Sequence, residues 1–183
     1  MALPPRNIAL VCGPDCELEM QALRAALEYF GARTVTYYIG RPNDLTAVLS
    51  GEALYGKTDL FILCVHGEDG KLLLPELAED VYEPGEPKGA FGAEEVRRYA
   101  RLDGAAVIAN GCTLGDPRLA AAFMEAGCGA YIGPADYPDG SSALLFLIQL
   151  LYEVIDQGRE LEEALGLAAA RDPSLSMYRF YRP

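Results

Sequence analysis

Five times over, a short run of apolar and β-branched residues gives way to a longer segment whose apolar residues recur at spacings of three and four. The short runs are residues 8–12, 34–39, 60–65, 105–109 and 130–132, and their length and composition read as strands. Because these runs are apolar almost without interruption, both faces of the sheet they form must be covered, which is the condition of a parallel sheet between helical layers. The longer segments, residues 17–30, 45–55, 93–101, 117–126 and 141–157, carry the single apolar stripe of crossover helices. Gly31, Gly104, Gly127 and Gly158 fall just past expected helix ends, and Asp116 stands before Pro117, so stop and start signals agree with the periodicity. The expectation is an α/β fold, a three-layer α/β/α sandwich with a mostly parallel sheet, in one domain spanning residues 1–183. At 183 residues and 51% hydrophobic content, such a domain needs no metal or disulfide to complete its core.

Two stretches depart from the alternation. Residues 68–91 are rich in Gly, Pro and acids around a short alternating piece, residues 71–77, and read as a hairpin or covering loop, longer than a minimal connection requires. A further helix is expected at residues 161–170. The aromatic and basic tail that follows, including Tyr178, Arg179, Phe180, Tyr181 and Arg182, reads as an edge strand laid on the sheet.

Charge narrows the partners. With 15 Lys and Arg against 27 Asp and Glu, the net charge of -12 repels phosphate backbones and anionic lipid headgroups, so neither nucleic acid nor a membrane surface is an expected partner. Residues 1–12 lack the hydrophobic segment of a secretory signal, and the longest apolar stretch, residues 143–155, is broken by Gln149 and Glu153 short of the roughly 20 residues that span a bilayer. Five cysteines, Cys12, Cys16, Cys64, Cys112 and Cys128, mostly inside apolar runs, indicate reduced thiols and a cytoplasmic setting. Cys12 and Cys16 have the spacing of a metal pair, but the chain has one histidine and no second close cysteine pair, so they read as core residues and no metal or cofactor is expected.

In an open α/β sheet, ligands bind beyond the carboxyl ends of the strands. The third strand ends as Leu63-Cys64-Val65-His66-Gly67 and the fourth as Asn110-Gly111-Cys112-Thr113. One right-handed crossover through residues 93–101 makes these strands neighbours, bringing the only histidine beside a thiol. An imidazole next to a thiol is a base next to its nucleophile, and the ion pair they form favours the thiolate, as would the helix N-terminus near Asp116. Gly67 leaves its backbone N–H open to an approaching carbonyl oxygen, and the N–H of Cys112 is a second donor for an oxyanion.

A strand ending in His-Gly, a loop and helix, and then a strand ending in a cysteine resemble the caspase-like cysteine peptidases of clan CD, and most of all their CHAT branch, which includes separase-like relatives. The likeness continues through the small-residue helix at residues 118–126, the Gly-Ala strand within residues 127–138, the long helix at 142–156 and the short one at 161–170, covering about the last two thirds of the chain. The resemblance implies a caspase-like fold and hydrolysis of peptide bonds in a peptide or protein substrate, with His66 as catalytic histidine, Gly67 at the oxyanion site and Cys112 as nucleophile. Relatives that cleave after basic residues often carry an acid two positions before the cysteine; this chain has Asn110 there. Asp136 and Asp139, in the loop after the fifth strand, are candidates for a negative wall against a basic side chain, or for helix caps. Two other readings stay open: a noncatalytic caspase-like module that binds peptides in the same cleft, and a flavodoxin-like binder of a small ligand at the first strand's loop, Gly13-Pro14-Asp15. Substrate, activation and oligomeric state are open.

Overall fold

In the computed structural model, which describes residues 6–183, a six-stranded sheet lies between two helical layers. Its strands are β1 (Asn7–Cys12), β2 (Arg33–Tyr38), β3 (Leu60–Cys64), β7 (Ala106–Asn110), β8 (Ala130–Pro134) and β9 (Tyr178–Tyr181), in the order β2-β1-β3-β7-β8-β9. The first five are parallel and β9 runs antiparallel to β8. The reading of residues 1–12 as lacking a secretory signal falls partly on residues 1–5, outside the described residues.

The strands are apolar throughout because their alternate residues enter different cores. Ala9 and Val11, Phe61, Leu63 and Val65, and Val107 and Ala109 face α2 (Pro42–Leu49), α3 (Ala93–Tyr99) and α4 (Pro117–Glu125). Ile8, Leu10 and Cys12, Leu60, Ile62 and Cys64, and Ile108 face α1 (Glu17–Tyr29), α5 (Gly140–Leu151) and α6 (Leu161–Ala169). Two dry interfaces on one sheet account for the near-continuous hydrophobic runs. Cys12, Cys16, Cys64 and Cys128 are buried free thiols, and only Cys112 is partly open. Among the described residues no group of three or more His, Cys, Asp and Glu is placed to hold a metal ion, and no helix is long and apolar enough to cross a membrane.

The helices start and stop where local chemistry dictates. Helix α2 begins at Pro42, three residues before the periodicity predicts, because Pro is tolerated in the first turn and Asp44 Oδ2 accepts the N–H groups of Gly40 (2.9 Å) and Arg41 (3.0 Å). It ends before Gly51, which takes a φ of +87°, rather than continuing to Tyr55. The long helix expected at residues 141–157 is α5 followed by one π-helical turn, Tyr152–Asp156. In that turn the mostly buried Glu153 accepts from Gln149 (2.6 Å) and Arg159 (2.9 Å).

The expected hairpin or covering loop is a second, small sheet of β4 (Gly67–Glu68), β5 (Lys71–Leu73) and β6 (Ala90–Phe91). Asp69 and Gly70 turn its hairpin with φ of +49° and +70°, the double left-handed geometry for which Asp-Gly is suited. The remainder of the excursion is fixed through Glu86, whose carboxylate accepts from Arg41 (2.6 and 3.0 Å) and from the amides of Asn43 (3.0 Å) and Glu83 (2.9 Å).

Candidate active site

Strands β3 and β7 are direct neighbours, with Cys64 paired to Asn110 in register. His66 and Cys112 each lie two residues beyond that pair, so both leave the sheet at its carboxyl edge, on adjacent strands and at the same level. The switch in chain direction that puts β1 between β2 and β3 lies next to them, where open α/β sheets leave a crevice. His66 is exposed, Cys112 half-buried and Gly67 buried.

The backbones carrying the two side chains touch. A Cβ added to Gly67 would overlap the Cys112 carbonyl oxygen and lie 2.7 Å from Leu114 Cγ. One added to Gly111 would overlap the Val65 carbonyl oxygen and lie 3.2 Å from the Gly67 nitrogen. Glycine at both positions is therefore a condition for bringing the His-Gly turn against the cysteine turn.

The hairpin register decides where the Gly67 amide points. Opposed residues of an antiparallel ladder alternate between bonded and non-bonded pairs. Leu73 N–H donates to His66 O (2.9 Å), so the next pair, Gly67 with Leu72, is a non-bonded one and the Gly67 N–H points away from the hairpin. Cys112 lies in a turn in which Leu114 N–H donates to Gly111 O (3.3 Å) and Asp116 N–H to Thr113 O (3.2 Å). Thr113 has a φ of +60°, which a β-branched residue adopts only under constraint. Its N–H donates to Asp136 O (3.1 Å), its Oγ1 accepts from Gly70 N–H (3.1 Å), and these two bonds hold the strained turn between the hairpin and the loop after β8.

The thiol in this arrangement is held in its protonated form. Burial pushes the Cys112 pKa up, its own backbone N–H pulls the other way, and the negative charges of Glu68 and Asp136 push it up further. This is opposite to the direction expected from a neighbouring imidazole and a helix N-terminus. One reason is that Asp116 fills the start of α4, accepting from the amides of Arg118 (2.8 Å) and Leu119 (3.3 Å), so a carboxylate stands where a positive helix end was expected.

His66 lies within the field of a different residue. Glu19, in the first turns of α1, has its pKa raised by burial and lowered in part by Asn110, by the Cys64 thiol and by the charge of His66. Glu19 Oε1 accepts from Asn110 Nδ2 (2.7 Å), and Asn110 Oδ1 accepts from Tyr178 Oη (2.6 Å). Asn110 is thus buried with both ends of its amide engaged. Asp136 stands beside the thiol, while Asp139 caps α5 through Ser142 N–H (3.0 Å). Tyr137 Oη donates to Glu68 Oε1 (3.1 Å), bridging the loop after β8 to the hairpin. Gly13, in the first strand's loop, donates to Cys64 O (2.8 Å) and packs on Val65.

Sequence reasoning passed over Glu19, Glu68, Tyr137 and Tyr178. For Glu19 a signal existed: the first turn of the helix after β1 faces the strand ends next to the switch point. The other three become visible only when the hairpin, the loop after β8 and β9 are docked.

No family model and no curated protein matches the chain by sequence. By shape it is similar to the Saccharomyces cerevisiae separase of a separase–securin complex, with a TM-score of 0.62 and 11% identity over 99% of this chain and 12% of that one. It is similar also to Porphyromonas gingivalis RgpB in a complex of pro- and mature domains, with a TM-score of 0.59 and 12% identity over 94% of this chain and 45% of that one. Caspase-1 from Spodoptera frugiperda gives a TM-score of 0.58 and 13% identity over 100% of this chain and 88% of that one. The chain therefore spans 12% of the separase and 45% of RgpB, but most of the caspase. What these likenesses establish, together with the strand order above, is that the chain has the caspase-like α/β fold.

Proposed function

We propose that this chain is a cysteine endopeptidase-like domain of the CHAT type, with Cys112 as nucleophile, His66 as base, and the amides of Gly67 and Cys112 as oxyanion donors. The observation that carries the reading is the register of β3 on β7, from which the only imidazole and the one partly open thiol leave adjacent strand ends. A caspase-like fold, in which neighbours such as separase and caspase-1 are found, supports it.

In this reading the thiol proton passes to His66 as Cys112 Sγ attacks the carbonyl carbon of the scissile peptide. The carbonyl oxygen takes the charge, facing the Gly67 and Cys112 N–H groups. Collapse of the intermediate breaks the C–N bond, and His66 gives its proton to the leaving amine. Water, losing a proton to His66, then attacks the thioester carbonyl and releases the acid and the thiol. The acids beside Cys112 suit a peptide with a cationic side chain near the scissile bond, with Glu68 and Asp136 as the negative wall. A bound cation would offset the charges that keep the thiol protonated in the empty site. Asn110 serves from beneath the site and Asp139 through the start of α5.

One observation favours a second reading. A thiol whose pKa is pushed up is a poor nucleophile at neutral pH, as suits a noncatalytic module that binds cationic peptides in the same cleft. The discriminating experiment is the pH dependence of Cys112 alkylation by a small electrophile in the native protein and in His66→Ala, with and without a library of Lys- and Arg-containing peptides. Peptide cleavage lost in both His66→Ala and Cys112→Ala supports the peptidase. Peptide binding without cleavage, with alkylation indifferent to His66→Ala, supports the binding module.

A further inference from the structure

The sequence-predicted site uses the ends of β3 and β7 and leaves a chain of polar groups beneath them without a role. Tyr178 opens the edge strand β9, Asn110 closes β7, and Glu19 comes from α1, so the three residues come from three separate parts of the chain. Tyr178 Oη donates to Asn110 Oδ1 at 2.6 Å, and Asn110 Nδ2 donates to Glu19 Oε1 at 2.7 Å. Tyr178 and Asn110 are 5% and 7% exposed, and the Tyr178 ring lies against Phe146 with centroids 4.0 Å apart, so the chain runs through the core face shared by α1 and α5.

A direction of bonding follows from these partners. The Tyr178 hydroxyl has one proton and gives it to the amide oxygen, which fixes the Asn110 side chain with its NH₂ toward Glu19. A carboxylate that receives this donor is held in one orientation, with Oε2 left to face the Cys64 thiol and the His66 ring. Burying a carboxyl group here is costly unless it has partners, and the one unit of charge that answers it at the strand ends is His66.

We propose that Tyr178, Asn110 and Glu19 form a hydrogen-bonded positioning chain that sets the orientation and proton placement of the His66 ring. Glu19 acts on the ring, and Tyr178 ties that action to the docking of β9. An imidazole whose one nitrogen is held by a carboxylate presents the other, in a defined protonation form, to its neighbour. None of the three residues touches substrate; each works through His66. The chemical purpose rests on the dyad reading above, but ring placement is measurable whether or not Cys112 is reactive.

The chain's single histidine makes the test direct, since every imidazole signal belongs to His66. Long-range ¹H–¹⁵N spectra of the neutral ring report which nitrogen carries the proton. In the native protein one tautomer dominates, and in Glu19→Gln the ratio of the two falls about tenfold. Tyr178→Phe, which removes a hydroxyl remote from the ring and keeps its contact with Phe146, shifts the ratio in the same direction by a smaller factor. Should Glu19→Gln fail to fold, Tyr178→Phe carries the test alone. Ring shifts identical to native in folded Tyr178→Phe and Glu19→Gln overturn the proposal. A tautomer shift in a protein whose Cys112 is inert to peptides would overturn the peptidase reading and leave the positioning chain standing.

Discussion

Substituting Gly67 by alanine tests the contact on which the site depends. The new Cβ would overlap the Cys112 carbonyl oxygen and sit 2.7 Å from Leu114 Cγ and 2.8 Å from Leu114 Cδ2, where apolar contacts settle at roughly 3.5–4.0 Å. The obstacle is mainly backbone, so the hairpin or the cysteine turn must move by about 1 Å. The turn resists, because Thr113 is already pinned between Asp136 and Gly70. Overpacking of this kind costs about 1–3 kcal/mol, and a backbone obstacle puts Gly67→Ala at the upper end. For a chain of this length each kcal/mol lowers Tm by about 2–4 °C, giving a fall of about 6–12 °C. The same displacement separates Cys112 from its oxyanion donors, and on the order of 100-fold of peptide hydrolysis is lost with it. Differential scanning calorimetry and mass spectrometry of alkylated Cys112 read the two effects. Gly166→Ala is the control: it lies in α6 with nothing within 4 Å of the added Cβ, and it should raise stability by about 0.5–1 kcal/mol. A Gly67→Ala protein with Tm within about 2 °C of native and unchanged Cys112 labelling would refute the close approach of the two turns.

Glu68→Gln and Asp136→Asn each remove a negative charge that raises the Cys112 pKa, so both should move the alkylation midpoint to lower pH; a shift upward, or none, would show that these acids do not act on the thiol. Glu86, held at about 2 by Arg41, contributes stability that is fully present above the ordinary carboxylate range and lost as pH falls through about 2. Glu86→Gln should therefore be less stable than native at neutral pH, with the difference closing toward pH 2, and should expose residues 76–88 to limited proteolysis. Tyr131, fully buried, donates to Leu114 O at 2.6 Å, so Tyr131→Phe leaves that carbonyl unpaired and should cost about 1–3 kcal/mol by urea denaturation; a loss below about 0.5 kcal/mol would mean the carbonyl finds another donor.

The sequence by itself determined the layered α/β architecture, because burial on two faces leaves a direct mark: five strands apolar at every position and helices with one apolar stripe. It also determined which ends carry chemistry, since a parallel order with short crossovers puts His66 and Cys112 on neighbouring strands before any coordinate is known. Edges were legible to within a few residues, except where capping by Asp44 or the π-helical turn at Tyr152–Asp156 overrode the periodicity. Tertiary structure alone decided the electrostatics. Whether a thiol is pushed up or down depends on charges brought by the hairpin and the loop after β8, and Glu68 and Asp136 are 44 and 24 residues from Cys112 along the chain. Likewise Glu19, Asn110 and Tyr178 are joined across separations of 91 and 68 residues. Periodicity records which face of an element is dry; it carries no record of which polar groups meet there, because hydrogen bonds and Coulomb fields act through space between elements whose relative placement only the packed core fixes.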